Sequence, residues 1–141
     1  MLWYVREGSI RLNDMDVRVY VLSNNVRVFE RSDITQFITG EEGSTLEQVF
    51  TSDIFGPRIY FPKSVNFTAL GDPQNIISGF NAETEFPYFV DTLYLCKLDI
   101  DKGTLQLPTR YVRMIERVVF MSSTAHQIGV DGANKKKPTL N

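Results

Sequence analysis

Apolar and polar residues alternate through Val17–Leu22 and again through Val26–Phe29, on either side of Ser23-Asn24-Asn25. A two-residue period puts successive side chains on opposite faces of a strand, and Asn tolerates the positive φ of a tight turn, so this stretch predicts a β-hairpin. Leu2–Val5 and Ser9–Leu12 predict an earlier, shorter strand pair divided by Arg6-Glu7-Gly8, with Asn13-Asp14 as the following turn. A short helix is expected over Asp33–Ile38, capped by the side-chain oxygen of Ser32 or Asp33 and ended by Gly40. Glu41–Ser44 reads as loop, and Thr45–Phe50 satisfies the helical and the strand period equally, which leaves its type open.

Arg58–Phe61 and Ser64–Thr68 predict two strands divided by Pro62-Lys63, followed by a turn at Leu70-Gly71-Asp72-Pro73. Gln74–Pro87 is irregular and predicts a surface loop or partner-binding excursion. Tyr88–Ile100 is long and rich in strand formers, so it predicts a strand that Asp101-Lys102-Gly103 turns into Thr104–Leu107 as a second hairpin. After Pro108 the period changes to 3.6. A long helix is expected over Thr109–Gln127, with Thr109 as N-cap and Gly129 as stop. Tyr111, Val112, Met114, Ile115, Val118, Val119 and His126 fall on one arc of it, the face expected to pack on the sheet. Arg110, Arg113, Glu116 and Arg117 fall on the other, and Phe120 lies among them. Aromatic residues and arginine are enriched at interface cores, which makes this helix face a candidate contact surface.

The 141 residues are 43% hydrophobic and 23% charged, values that separate the chain from disordered and membrane-embedded proteins. A chain of this size buries roughly two-thirds of its extended surface, enough for one domain, expected over residues 1–129 with a basic tail at 130–141. The N-terminal residues lack the basic start and long apolar core of a signal peptide, so the expected setting is not secretory. Asn66-Phe67-Thr68 is accordingly read as strand chemistry and not as a glycan acceptor.

Charge is unevenly placed. Residues 1–40 are neutral, residues 41–107 carry a net −6 and residues 108–141 a net +4. The acidic middle repels phosphate, which disfavours a general nucleic-acid binder, although a local basic site on the last quarter stays possible. Complementary potentials on different parts of one chain suit contacts between copies or with a partner. The tail has the composition of a disordered segment and is expected to be ordered only against another chain, through Lys135, Lys136, Lys137 and Leu140.

Candidate chemistry is sparse. One histidine, His126, and one cysteine, Cys96, are too few for a structural zinc site, and Cys96 in its apolar run reads as a small buried hydrophobe. Ser122 and His126 share a helix face, but the apolar one, so a core histidine is the better reading. Asp99-x-Asp101-x-Gly103 has its glycine one position early for a calcium loop and no closing glutamate, which makes it turn chemistry. Neither Gly-rich phosphate loop is present, and Arg58–Lys63 offers only a weak case for base stacking. A hydrolase using an unassigned carboxylate pair remains a third class.

Val17–Phe29 running into Glu30-Arg31-Ser32-Asp33-Ile34 and Phe37-Ile38-Thr39-Gly40 resembles the opening of the Bro-N domain of viral and phage antirepressor-like proteins. Tyr88–Tyr94 and the helix around Tyr111–Phe120 resemble its later part. That resemblance implies DNA binding by a viral regulator; it spans under half the chain, and the acidic middle departs from it.

Together these patterns predict an α+β fold: a mostly antiparallel sheet built from hairpins, one short helix, and one long C-terminal helix packed on it. The expected function is non-enzymatic, a structural or adaptor subunit of a larger assembly, a virion protein above all, with no cofactor, no metal and no membrane. A small viral regulator or host-defence inhibitor that binds protein or nucleic acid is the alternative. Other protein subunits are the expected partners, in a homo-oligomer or hetero-assembly in the host cytoplasm or virion. The expected contact residues are Arg110, Arg113, Arg117, Phe120, Lys135, Lys136, Lys137 and Leu140.

Overall fold

Three successive hairpin turns set up the sheet. In the computed structural model, which describes residues 1–121, β1 (Leu2–Leu12) and β2 (Met15–Leu22) meet across Asn13-Asp14, with Asn13 at φ 56°. β3 (Arg27–Glu30) returns after a turn in which Asn25 takes φ 69° and the Asn24 side chain accepts from the Val26 N–H. β4 (Ser64–Ala69) and β5 (Asp72–Asn81) join through Leu70-Gly71, where Gly71 has φ 83°. The strands close into a barrel in the order β1-β2-β3-β5-β4. Four of its seams are antiparallel; the fifth, β1 with β4, is parallel and only three residue pairs long.

Inside the barrel Tyr20, Leu22, Val28 and Phe67 are buried, with Leu2, Tyr4, Val65 and Ile77 packed on them. The Tyr4 and Tyr20 rings lie 5.0 Å apart in a tilted contact, and Tyr20 and Phe67 also 5.0 Å, edge to face, an arrangement favoured by the ring quadrupoles. Strand alternation sends Phe29 to the outside, where its ring meets Phe86 at 5.2 Å. From there the chain of rings continues through Phe89 to Phe50 and Phe55. This second apolar layer is supplied by the helices.

α1 (Arg31–Thr39) follows β3 directly, α2 (Leu46–Val49) and α3 (Ser52–Phe55) are single turns, and α4 spans Glu85–Lys102. α5 is described over residues 109–121. The chain falls into two compact units, Met1–Thr92 and Leu93 onward. In the second unit Leu93, Cys96, Met114, Ile115 and Val118 are buried, and Lys97 on α4 bridges Asp101 at 2.8 Å and Glu116 on α5 at 3.2 Å.

The α+β fold, the mostly antiparallel sheet, the β2–β3 hairpin and the short helix stand as the sequence predicts, and several local expectations need correction. β1 is one continuous strand: a bulge at Val5, between Tyr4 and Arg6, absorbs the irregularity that reads as a break. The cap of α1 is Glu30, whose carboxylate accepts from the Asp33 N–H at 2.8 Å, because Asp33 is itself committed to Arg18. Arg58–Phe61 is not a strand but a short 3-10 turn and extended chain. Gln74–Asn81, expected as loop, is the body of β5.

The largest correction is Tyr88–Ile100, which is helix. Buried Phe86, Phe89, Val90, Leu93 and Cys96 repeat at three and four residues, and this period overrides the strand-forming composition. Asp101-Lys102-Gly103 therefore ends a helix: Gly103 sits at φ 80° and the Asp99 carbonyl accepts from Thr104 and Leu105. No second hairpin forms there. The N-terminal carbonyl of α5 that accepts from Tyr111 and Val112 belongs to Pro108, one residue before the expected cap. Asn66 fits the strand reading, since its side chain accepts from Ser78 across the β4–β5 ladder at 2.7 Å.

Candidate functional site

Of the eight expected contact residues, four lie in the described part. Arg110, Arg113, Arg117 and Phe120 follow one another on α5 at spacings of three, four and three residues, which places them on one stripe of the helix. Arg110 and Arg113 are exposed, Arg117 is half-buried and Phe120 is 69% exposed. The Arg110 guanidinium lies 5.4 Å from the centre of the Tyr111 ring. Lys135, Lys136, Lys137 and Leu140, like Ser122 and His126 and the expected tail boundary, lie outside the described residues. Among the described residues no helix is long and apolar enough to cross a membrane, and no three His, Cys, Asp or Glu side chains converge as metal ligands.

Two features of the first unit were not expected. The first is the free edge of β1. Parallel pairing with β4 ends at Tyr4, whereas pairing with β2 continues to Leu12. From Val5 to Leu12, β1 therefore hydrogen-bonds on one side only among the described residues, and Val5 through Arg11 are all exposed. Val5 is 57% and Ile10 37% exposed. The other strand of this arm is anchored: Arg18 on β2 binds Asp33 with Nε at 2.7 Å and a terminal nitrogen at 3.0 Å, and its backbone N–H reaches the same carboxylate at 3.0 Å. A contact from Arg18 to Glu30 at 3.3 Å completes the network. The guanidinium hydrogen bond holds the Asp33 carboxyl below its ordinary range and raises Arg18 above its own.

The second is a cleft of about 430 Å³. Its walls are the first turns of α1 (Arg31, Ser32, Thr35), residues 43–47 with the start of α2, the extended chain 61–64, and Phe80 of β5. α2 is fixed there by a reciprocal capping box, with the Thr45 hydroxyl accepting from the Gln48 N–H and the Gln48 side chain from the Thr45 N–H. The chain at 60–63 is pinned from below by Glu85, which accepts from the Lys63 N–H at 2.8 Å and the Tyr60 hydroxyl at 2.9 Å. These bonds, the backbone one foremost, depress the Glu85 carboxyl, and the same contact raises the Tyr60 hydroxyl. The walls are thus rigidly placed by local side-chain chemistry.

The sequence carried signals for both features. Thr45-x-x-Gln48 is a capping-box pattern that resolves the open type of residues 45–50. An eight-residue β2 needs a partner of matching length, which argues against dividing β1 at Arg6-Glu7-Gly8. Comparison with family models, curated proteins and solved structures finds no match, and the Bro-N resemblance therefore has no family match behind it.

Proposed function

We propose that this chain is a non-enzymatic assembly subunit, of the structural kind that virus and phage particles use, and that it associates with a second copy through the free edge of β1. The observation that supports this is the one-sided pairing of Val5–Leu12. An exposed strand edge presents a row of backbone donors and acceptors that a further strand satisfies, with main-chain bonds giving affinity and side chains giving register.

The side chains favour self-pairing. A two-fold antiparallel pairing centred on Ser9 sets Glu7 of each copy opposite Arg11 of the other, so one contact yields two opposite-charge cross-strand pairs. A centre half a step away sets Arg6 opposite Arg11 and is repelled. The stripe Arg110-Arg113-Arg117-Phe120 supplies a separate, basic contact suited to an acidic surface of another subunit.

The test is a charge swap followed by light scattering over a concentration series. Glu7→Arg and Arg11→Glu each weaken self-association, and the double variant restores it. Amide exchange at residues 5–12 slows on association. A chain that stays monomeric at high concentration, or a double variant no better than either single one, rejects the reading. A mass that falls on nuclease treatment favours the nucleic-acid alternative instead.

A further inference from the structure

The cleft beside α1 belongs to neither contact surface, and its chemistry is that of a binding site. Two cations line it, Arg31 and Lys63, and neither has a carboxylate within ion-pair distance among the described residues. Elsewhere in the same unit, Arg11 and Arg18 do have such partners. One carboxylate, Glu47, lines the cleft with them, and Glu85 acts on the Lys63 charge beyond ion-pair distance.

Thr35 is the independent observation. It lines the cleft, is 3% exposed, and its hydroxyl has no hydrogen-bond partner among the described residues, although the neighbouring Thr39 hydroxyl donates to the Thr35 carbonyl at 2.9 Å. Buried polar groups in folded proteins are almost always satisfied, by protein, water or ligand. Phe61 and Phe80 add an apolar wall against which a flat group can rest. The volume is within the range of small-molecule pockets, which combine apolar lining with a few polar groups that fix orientation.

We infer that this cleft binds a small organic anion: a carboxylate or phosphate monoester held by Arg31 and Lys63, hydrogen-bonded by Thr35, with its apolar body on Phe61 and Phe80. Arg31 and Lys63 provide charge-assisted donors to the oxyanion. Glu47, also in the lining, disfavours a second negative group on the ligand.

The experiment titrates the full chain with phenyl phosphate, benzoate, inorganic phosphate and benzyl alcohol, followed by backbone amide shifts. Saturable shifts from phenyl phosphate or benzoate, centred on residues 31–35, 43–47, 61–64 and 80, are expected, and the two anions separate phosphate from carboxylate selectivity. Benzyl alcohol, lacking the charge, and inorganic phosphate, lacking the ring, bind at least about tenfold more weakly. Arg31→Ala with Lys63→Ala lowers affinity for the aromatic anion by about tenfold or more. Thr35→Val, equal in shape, lowers it by a smaller factor while the fold, checked by the same spectra, is retained. Absence of saturable shifts with both aromatic anions, equal binding of the alcohol, equal binding of inorganic phosphate, or undiminished binding by the double variant overturns the inference. None of these outcomes depends on self-association through β1.

Discussion

Gly79 shows how narrowly one side chain can be constrained. It pairs with Glu30 on one side and Val65 on the other, and a Cβ added there stands 2.8 Å from the Phe29 carbonyl oxygen and 3.0 Å from the Val28 side chain. A backbone atom cannot move aside cheaply inside a closed sheet, so Gly79→Ala is expected to destabilise the chain by about 1–3 kcal/mol, read as a lower urea midpoint. Asp33 is constrained by charge instead. Its folded carboxyl is depressed below the unfolded value, chiefly by the Arg18 hydrogen bond, so its contribution is complete above that value, about pH 4. The contribution is lost as pH falls through the folded pKa. Asp33→Asn therefore lowers Tm at neutral pH, and the gap from the parent closes as the solution is taken well below pH 4. A gap that is constant with pH contradicts this account.

At the scale of elements, the short helices depend on their caps more than on their length. α2 has only four residues, and an isolated helix that short does not persist in water. Thr45→Ala removes the acceptor for the Gln48 N–H and is expected to cost about 1 kcal/mol, with faster amide exchange confined to residues 45–50. Legibility in the sequence follows the same physics. The β2–β3 hairpin and α1 were readable because turn residues and period agree: Asn25 and Gly40 occupy the positive-φ positions their types suggest. α4 reads as strand because Tyr, Phe, Val, Thr and Leu fill it, and its first turns are apolar enough to mask the three-and-four spacing of Phe86, Phe89, Val90 and Leu93. β5 reads as loop because Pro73 and Asn75 are poor strand formers, tolerated where the strand is exposed over residues 73–76. The cleft was illegible for another reason. Arg31, Thr35, Lys63 and Phe80 come together through the β3–β5 and β4–β5 pairings, which no local pattern encodes.

For the whole molecule, the charge division and the α5 stripe make a joint prediction about assembly. Reversing Arg113 and Arg117 to Glu is expected to weaken association with an acidic partner surface, and because Arg117 is half-buried the helical signal of the double variant is checked alongside. Added salt is expected to reproduce the effect, because exposed charges are screened beyond ~8–10 Å at physiological ionic strength. Light scattering of the two proteins across a salt series checks this; salt-insensitive association unaffected by the double reversal contradicts it. The three-pair parallel seam between Leu2–Tyr4 and Phe67–Ala69 has a different consequence, in time instead of in space. Its two halves are more than sixty residues apart, so closing it costs more chain entropy than any hairpin, and few bonds repay that cost. β1 thus acquires its second neighbour late. Mutations of β4-facing positions on β1, such as Leu2→Ala, are expected to speed unfolding while leaving the folding rate nearly untouched, the kinetic signature of a contact made after the barrier.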